Sequence, residues 1–397
     1  MTRAKLLPHA VVFVSAIFYG CQSSTIQPVD TPSVQQGYQP ALESDEAGLW
    51  LVMDQAEKDL QTSGKLITDS RANKYLREVI CRLAEDICGD VRVYLVRVPY
   101  FNATMAPNGV MQIWSGLLLR AENEAQLAYI LGHEIAHYRN QHSLQIFRQA
   151  KSTANILAPF QVLTAAGGVW YVGSFAQLGA IGTLMKFSRD HEREADDGGF
   201  RAAVAAGYNP HEAARIWEGL EEEKEVLDES APSLFLSTHP SPGERVETLR
   251  QRAIDTTEPA TGWYTGNESY NAIVDPLRFE LMRDELRLRQ FAATQILLDR
   301  AKEAGRPAAE ISFFQAELYY ARSEKGDTLK AEQSYRESLS QADAPPDAYR
   351  ELAIIYMKSG RGQQAVPLFE TYLAKRPDAF DRSMVEAYIQ RIGSREN

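Results

Sequence analysis

Apolar residues recur at helical spacing along most of this chain, and strand-like runs interrupt them at only two places. Leu49, Trp50, Met53, Ala56 and Leu60 mark an amphipathic helix over Glu46–Thr62. Tyr75, Leu76, Val79, Ile80, Leu83 and Ile87 mark a second over Arg71–Ile87. Val91–Val98 is dense in β-branched residues and reads as a strand. Pro107-Asn108-Gly109 reads as a turn leading into a second, short strand, Val110–Trp114. Leu127, Ile130, Leu131, Ile135 and Ala136 then set a helical face in a stretch from Glu122 to Gln149 that Gly132 alone punctuates. Ser188–Phe200 is charged and helical by composition, and Ala206–Pro210 reads as a helix stop and restart. Leu236–Pro242 is a proline-stiffened loop, and 256–276 has the Thr, Pro, Gly and Asn content of a linker. Beyond Pro276 the pattern is helical to the end. The fold class this predicts is α+β, mostly helical, with a small sheet and an all-α C-terminal region.

Within that last region a period appears. Leu352, Ala365 and Phe369 repeat Leu318, Ala331 and Tyr335 at a 34-residue spacing. With Tyr349, Tyr356 and Pro377 they match the tetratricopeptide pattern, in which stacked helix pairs bury faces that no single repeat can cover.

The N-terminus carries Arg3 and Lys5 ahead of the apolar run Leu6–Tyr19, the form of an export signal. Gly20-Cys21 resembles a lipobox, which implies lipidation of Cys21, although Phe18 and Tyr19 depart from the usual small residues; ordinary cleavage and an uncleaved anchor are the other readings. Residues 21–45 are rich in Pro, Gln and Ser and read as a flexible tether. The 34 residues Ser152–Met185 hold no charge. A mobile cover or a buried hairpin suits their Pro, Gly and Gln content better than a membrane span.

Composition narrows the function. With 44% apolar residues, 24% charged and a net charge of −11, the chain is globular and has no basic stretch for nucleic acid. The acidic run Glu218–Glu229 reads as a solvated helix face. In an oxidising compartment Cys81 and Cys88 form a pair, but on one continuous helix their Cα atoms stand about 10.5 Å apart, too far to bridge. They are either a disulfide, if the helix unwinds ahead of Gly89, or two buried thiols.

The chemistry lies in His133-Glu134-Ile135-Ala136-His137. Histidines four apart sit about 40° from each other around a helix, so both imidazoles can reach one zinc ion. Glu134, about 100° from His133, reaches a metal-activated water without ligating. A catalytic zinc needs a third protein ligand, and Glu192 is the candidate. Asp196, one turn on, is placed to accept the free N–H of a ligating imidazole. Glu194 points elsewhere and reads as solvated, His191 lies off the Glu192 face, and His142 and His211 read as surface or helix-terminal residues.

HExxH followed by SRxxExEADxxG across an apolar region resembles the HtpX and CAAX-prenyl-protease type of gluzincin zinc metallopeptidase. Asn102-Ala103, Pro107-x-Gly109, Ser115-Gly116-Leu117-Leu118, Asn123-Glu124, Thr238-His239-Pro240 and Arg245 extend the likeness over about residues 47–252. With the export signal and the repeats, the whole resembles the BepA-type periplasmic branch. The resemblance implies a signal peptide (1–20), a zincin-type domain (46–255), the linker and a repeat domain (277–397). It implies His133, His137 and Glu192 around one zinc ion per chain, with Glu134 as general base. His239 or Arg245 would donate to the oxyanion; His239 could instead occupy the open coordination position or be structural. Val110, Met111, Gln112, Ile113 and Trp114 are expected to form a cleft-edge strand that pairs with substrate. The implied function is endopeptidase quality control of misfolded or unassembled outer-membrane proteins, in the periplasm of a Gram-negative bacterium and anchored by lipid. The alternative is a chaperone-like adaptor that engages the assembly machinery through its repeats.

Overall fold

The computed structural model describes residues 34–152, 186–227, 239 and 242–394. The export signal, Cys21, most of the uncharged stretch and most of the 236–242 loop lie outside them. Two helices, α1 (Asp45–Thr62) and α2 (Ser70–Leu83), precede strands β1 (Arg92–Val96), β2 (Ala103–Met105) and β3 (Val110–Trp114). Then follow α3 (Ser115–Arg120), α4 (Glu124–Arg139), α5 (His142–Ser152), α6 (Arg189–Ala205), α7 (Glu212–Glu225) and α8 (Pro242–Asp255). The C-terminal helices are α9 (Asn267–Arg287), α10 (Phe291–Glu303), α11 (Ala308–Arg322), α12 (Asp327–Leu339), α13 (Pro346–Lys358), α14 (Gly362–Lys375) and α15 (Arg382–Ser394). Among the described residues no helix is long and apolar enough to cross a membrane.

Four expectations need correction. The sheet order is β1-β3-β2, with β1 parallel and β2 antiparallel to β3. Val110–Trp114 is therefore the central strand, buried along its whole length, and not an edge. Its sequence, Gln112 apart, is apolar because both faces are covered; the edges are β1 and β2. On either side of β2, Asn102 and Ala106 bond to β3 (Trp114 N–H to Asn102 O, 3.0 Å; Ala106 N–H to Val110 O, 2.8 Å), so the backbone groups of Ala103 and Met105 point away from β3, that of Met105 to Glu134.

The Glu122–Gln149 helix is two helices. Arg139 ends the first, and Gln141 takes a left-handed φ of 52° that turns the chain into α5. The Arg71–Ile87 helix stops at Leu83, because Ala84 leaves helical geometry (φ −152°, ψ 62°). The fold-back brings Cys88 to a Cα distance of 4.9 Å from Cys81, and the two are joined as a disulfide.

Neither the tether nor the linker is free where the structure describes it. Val34 is buried and its N–H bonds to Arg139 O, while Gly37 N–H bonds to Asp90 Oδ2 at 2.6 Å. Within 256–276, Tyr264 and Thr265 bond to Gly207, Asn209 and Ala125. Helix α9 starts inside the expected linker, with Pro276 in its interior, and packs on α2, α3 and α4. Buried Arg120 bonds Glu223 of α7 (2.7 Å) and Glu285 of α9 (2.9 and 3.0 Å), and Tyr270 Oη–H donates to Leu118 O (2.6 Å). The helical region thus continues the core of the sheet-bearing part. Leu318, Ala331, Tyr335 and their partners Leu352, Ala365 and Phe369 are all buried between successive helices, which explains their shared spacing.

Candidate metal centre

Helices α4 and α6 bring the motif residues together through an unusually close backbone approach. A Cβ on Gly199 would meet His133 N at 2.6 Å, and one on Gly198 would meet the Ala136 Cβ at 2.8 Å. Small residues let the helices touch, so Glu192 in the first turn of α6 faces the His133–His137 face of α4. Ser188 caps α6, its Oγ accepting from His191 N–H at 3.1 Å.

His133, His137, Glu192 and His239, all buried, place one donor atom each within 4.8 Å of one another. The two histidine Nε2 atoms are 3.0 Å apart. His137 Nε2 lies 3.4 Å from Glu192 Oε1, and His133 Nε2 lies 3.7 Å from Glu192 Oε2. A tetrahedral zinc with bonds of about 2.0–2.1 Å has donor-to-donor edges of about 3.3–3.4 Å, and the sides of this triangle, the two to Glu192 made by different oxygens, fall on either side of that length. His239 Nδ1 stands at 3.3 Å from His133 Nε2 and 2.9 Å from Glu192 Oε1, beside the same triangle. Three imidazoles and a carboxylate crowded together out of water are hard to rationalise without a shared cation.

Glu134 is buried, and among the described residues its Oε1 accepts no hydrogen bond; His239 Nε2 is 3.7 Å away. Burial pushes its carboxyl up to about 7, while His239 pulls the other way. Burial also raises Glu192, but the imidazoles of His239, His137 and His133 outweigh it and hold that carboxyl well below the usual range. Burial keeps His133 and His137 below their ordinary values, and so neutral with a lone pair to offer.

The surrounding residues fix the donors. Asp196 Oδ1 is 3.0 Å from His133 Nδ1. Arg245 donates to both Asp196 oxygens (3.0 and 2.5 Å) and to Glu192 Oε2 (3.1 Å), with its guanidinium 3.8 Å from the Trp217 ring centre. Its Nη2 also lies 3.0 Å from His133 Nδ1, so the guanidinium sits among the donor residues. Phe187 stacks on His137 at 3.8 Å. His211 is exposed at the start of α7. His142, in contrast, is fully buried against His137. Its position five residues after His137 would put it about 140° away on an unbroken helix, so only the break at Gln141 places it there.

A helix-borne His pair, a carboxylate from a second helix and a buried glutamate beside them have the form of a zincin-type metal site. Residues 70–253 match the model of peptidase family M48, a zinc-using family. The chain is similar to the putative beta-barrel assembly-enhancing protease of Vibrio cholerae, at 28% identity over 204 residues covering 49% of this chain and 42% of that one. It is also similar to metalloprotease YcaL of Escherichia coli, at 28% over 263 residues covering 64% of this chain and 98% of that one. The mitochondrial metalloendopeptidase OMA1 of Bos taurus is 29% identical over 168 residues, 40% of this chain and 31% of its own length. The match spans 42% and 50% of the beta-barrel assembly-enhancing proteases of V. cholerae and Yersinia pestis, about half the length of each.

Proposed function

We propose that this chain is a zinc-dependent endopeptidase of the bacterial cell envelope that cleaves misfolded or unassembled polypeptides. The observation that carries it is the convergence of His133, His137 and Glu192 beside a buried, unpartnered Glu134 oxygen. His133, His137 and Glu192 hold the metal. Zinc, when bound, polarises the scissile carbonyl and makes water acidic near neutral pH. Glu134 takes the water's proton onto its carboxylate and delivers it to the departing amine, a task helped by the burial that raises its affinity for a proton. Asp196 holds His133 in the tautomer that offers Nε2 to the metal, and Arg245 keeps Asp196 and Glu192 ionised and oriented. His239 occupies the fourth corner of the donor set and must give way for substrate to enter.

Substrate is a segment in extended form. It pairs with the outward backbone of Ala103 on β2, the strand that packs on α4 and whose Met105 N–H bonds the Glu134 carboxylate. Relatives named beta-barrel assembly-enhancing protease support unassembled outer-membrane proteins as the substrate class. We also propose a periplasmic location with Cys21 as lipid anchor, supported by the export-signal pattern and Gly20-Cys21, and the 34-residue-spaced helices as the surface for assembly machinery.

The decisive experiment compares Glu134→Gln and Glu192→Gln. Glu134→Gln should retain zinc and lose about 10²–10⁴-fold in casein cleavage. Glu192→Gln should lose zinc as well. Turnover surviving in Glu134→Gln would refute the general base, and unchanged zinc content in Glu192→Gln would refute the ligand set.

A further inference from the structure

His133 and His137 are held from behind in different ways. His133 Nδ1 meets a carboxylate directly, Asp196 at 3.0 Å, and that carboxylate is clamped by Arg245. His137 Nδ1 meets another imidazole, His142 Nδ1 at 2.8 Å, and His142 Nε2 in turn lies 3.0 Å from Glu194 Oε2. His142 is fully buried, whereas the Glu194 side chain is 62% exposed. The ring of His191 stacks on His142 at 4.4 Å and 20°, and Phe187 stacks on His137 at 3.8 Å and 26°. Both imidazoles are therefore fixed in plane as well as at their edges.

Only one arrangement of protons satisfies every contact. Two ring nitrogens 2.8 Å apart share a single proton, so one donates and the other accepts. If His137 offers the Nε2 lone pair to the metal, its proton sits on Nδ1 and His142 Nδ1 accepts. The proton of neutral His142 is then on Nε2, where Glu194 accepts it. The opposite arrangement would leave Nε2 of His142 without a proton, facing a carboxylate that needs a donor, and would take the His137 lone pair away from the donor cluster.

We infer that His142 is a positioning residue for the metal. It locks His137 into the Nε2-presenting tautomer, and Glu194 anchors the far end of the chain at the surface. The two ligands thus differ in support: His133 leans on a nearly buried, ion-paired carboxylate, and His137 leans on a neutral relay that ends in solvent. The role of Glu194 is that of an acceptor reaching inward from an exposed backbone position.

This inference rests on the zinc-site reading above, and the test separates the two. Zinc affinity is measured on the full chain by competition with a chromophoric chelator, for wild type, His142→Leu, His142→Asn and Glu194→Ala. The asparagine Oδ1 occupies the place of the histidine Nδ1 and can accept from His137. His142→Leu should weaken zinc binding about 10–100-fold, the usual effect of removing a partner of a metal-ligating histidine. His142→Asn should recover most of that loss. Glu194→Ala, a surface change that leaves folding intact, should weaken binding about threefold, a partial loss of the same support. Nitrogen-15 NMR of the zinc-loaded wild type should show His142 protonated on Nε2 and His137 on Nδ1. Wild-type affinity in His142→Leu, no better binding in His142→Asn than in His142→Leu, or a His142 proton on Nδ1 would each overturn the inference. If His142→Leu does not fold, Glu194→Ala and the NMR tautomers still decide. A wild type that binds no zinc would instead defeat the zinc-site reading itself.

Discussion

Arg245 Nη1 lies 3.1 Å from Glu192 Oε2 while its Nε and Nη2 hold Asp196, so one guanidinium joins the candidate third ligand to the carboxylate behind His133. The two acidic residues stand four apart on α6, and the arginine comes from α8 across the site. Without it, two nearly buried carboxylates would face each other across a single turn. Arg245→Ala should therefore destabilise the fold by about 3–5 kcal/mol, the cost of stranding buried charge, as read by urea unfolding of the metal-free protein. Arg245→Lys supplies a charge but not the fork, and should recover only part of the loss.

Gly199 sets the distance between the helices that carry the donors. Its missing Cβ leaves His133 N at 2.6 Å from where that atom would stand, and backbone cannot move aside as a side chain can. Gly199→Ala should push α6 off α4 and cost both stability and metal. We expect a loss of about 1–3 kcal/mol, the usual range for overpacking, with weaker zinc retention in dialysis. Wild-type metal retention with full stability would show that the helices tolerate a wider spacing.

Arg120 is the tie between the sheet-bearing part and the C-terminal helices, buried between Glu223 and Glu285. Arg120→Ala leaves Glu285 without its arginine and Glu223 with Arg300 alone, and should cost about 3–5 kcal/mol. Limited proteolysis should then cut first near α9. A variant as protease-resistant as wild type would show that apolar contacts alone hold the junction.

A pH effect is expected from Glu317, between Tyr335 and the charge of Glu351. Burial, with Glu351 adding to it, pushes its carboxyl up to about 7 from an ordinary 4.5. Between those values the folded state keeps a proton that the unfolded state has lost. Stability from this group is therefore full below 4.5, falls as pH rises towards 7, and is level above that. Glu317→Gln should flatten the fall, so its gain over wild type is larger at pH 8 than at pH 5 in thermal melts. An equal effect at both pH values would place the folded carboxyl near its ordinary range.

The candidate donors were legible in sequence because helical periodicity is local. Spacing by four puts His133 and His137 on one face, and the same rule puts Glu192 and Asp196 on another, whatever surrounds them. Residue types then state the chemistry, since imidazole and carboxylate at that spacing have few uses as good as a shared cation. The 34-residue period was legible for a related reason: Leu318 and Leu352, or Ala331 and Ala365, face the same kind of neighbour in each turn of a stack, and so carry the same kind of side chain.

Strand order was not legible. A largely apolar Val110–Trp114 is what a central strand needs, but alternation and apolarity describe faces, not neighbours, and only the pairing with both β1 and β2 removes it from the edge. His142 was missed because its role depends on a left-handed Gln141, a conformation that glutamine seldom adopts and that no local pattern announces. The sequence by itself determined which residue types and helix faces could make a metal site. Tertiary structure decided the rest: the meeting of α4 and α6 at two glycines, the return of His142 to His137, and the reach of Arg245 between two carboxylates. Each of these contacts, the His142 return excepted, joins residues about fifty or more positions apart, or turns on one backbone angle. Spacing along the chain records neither.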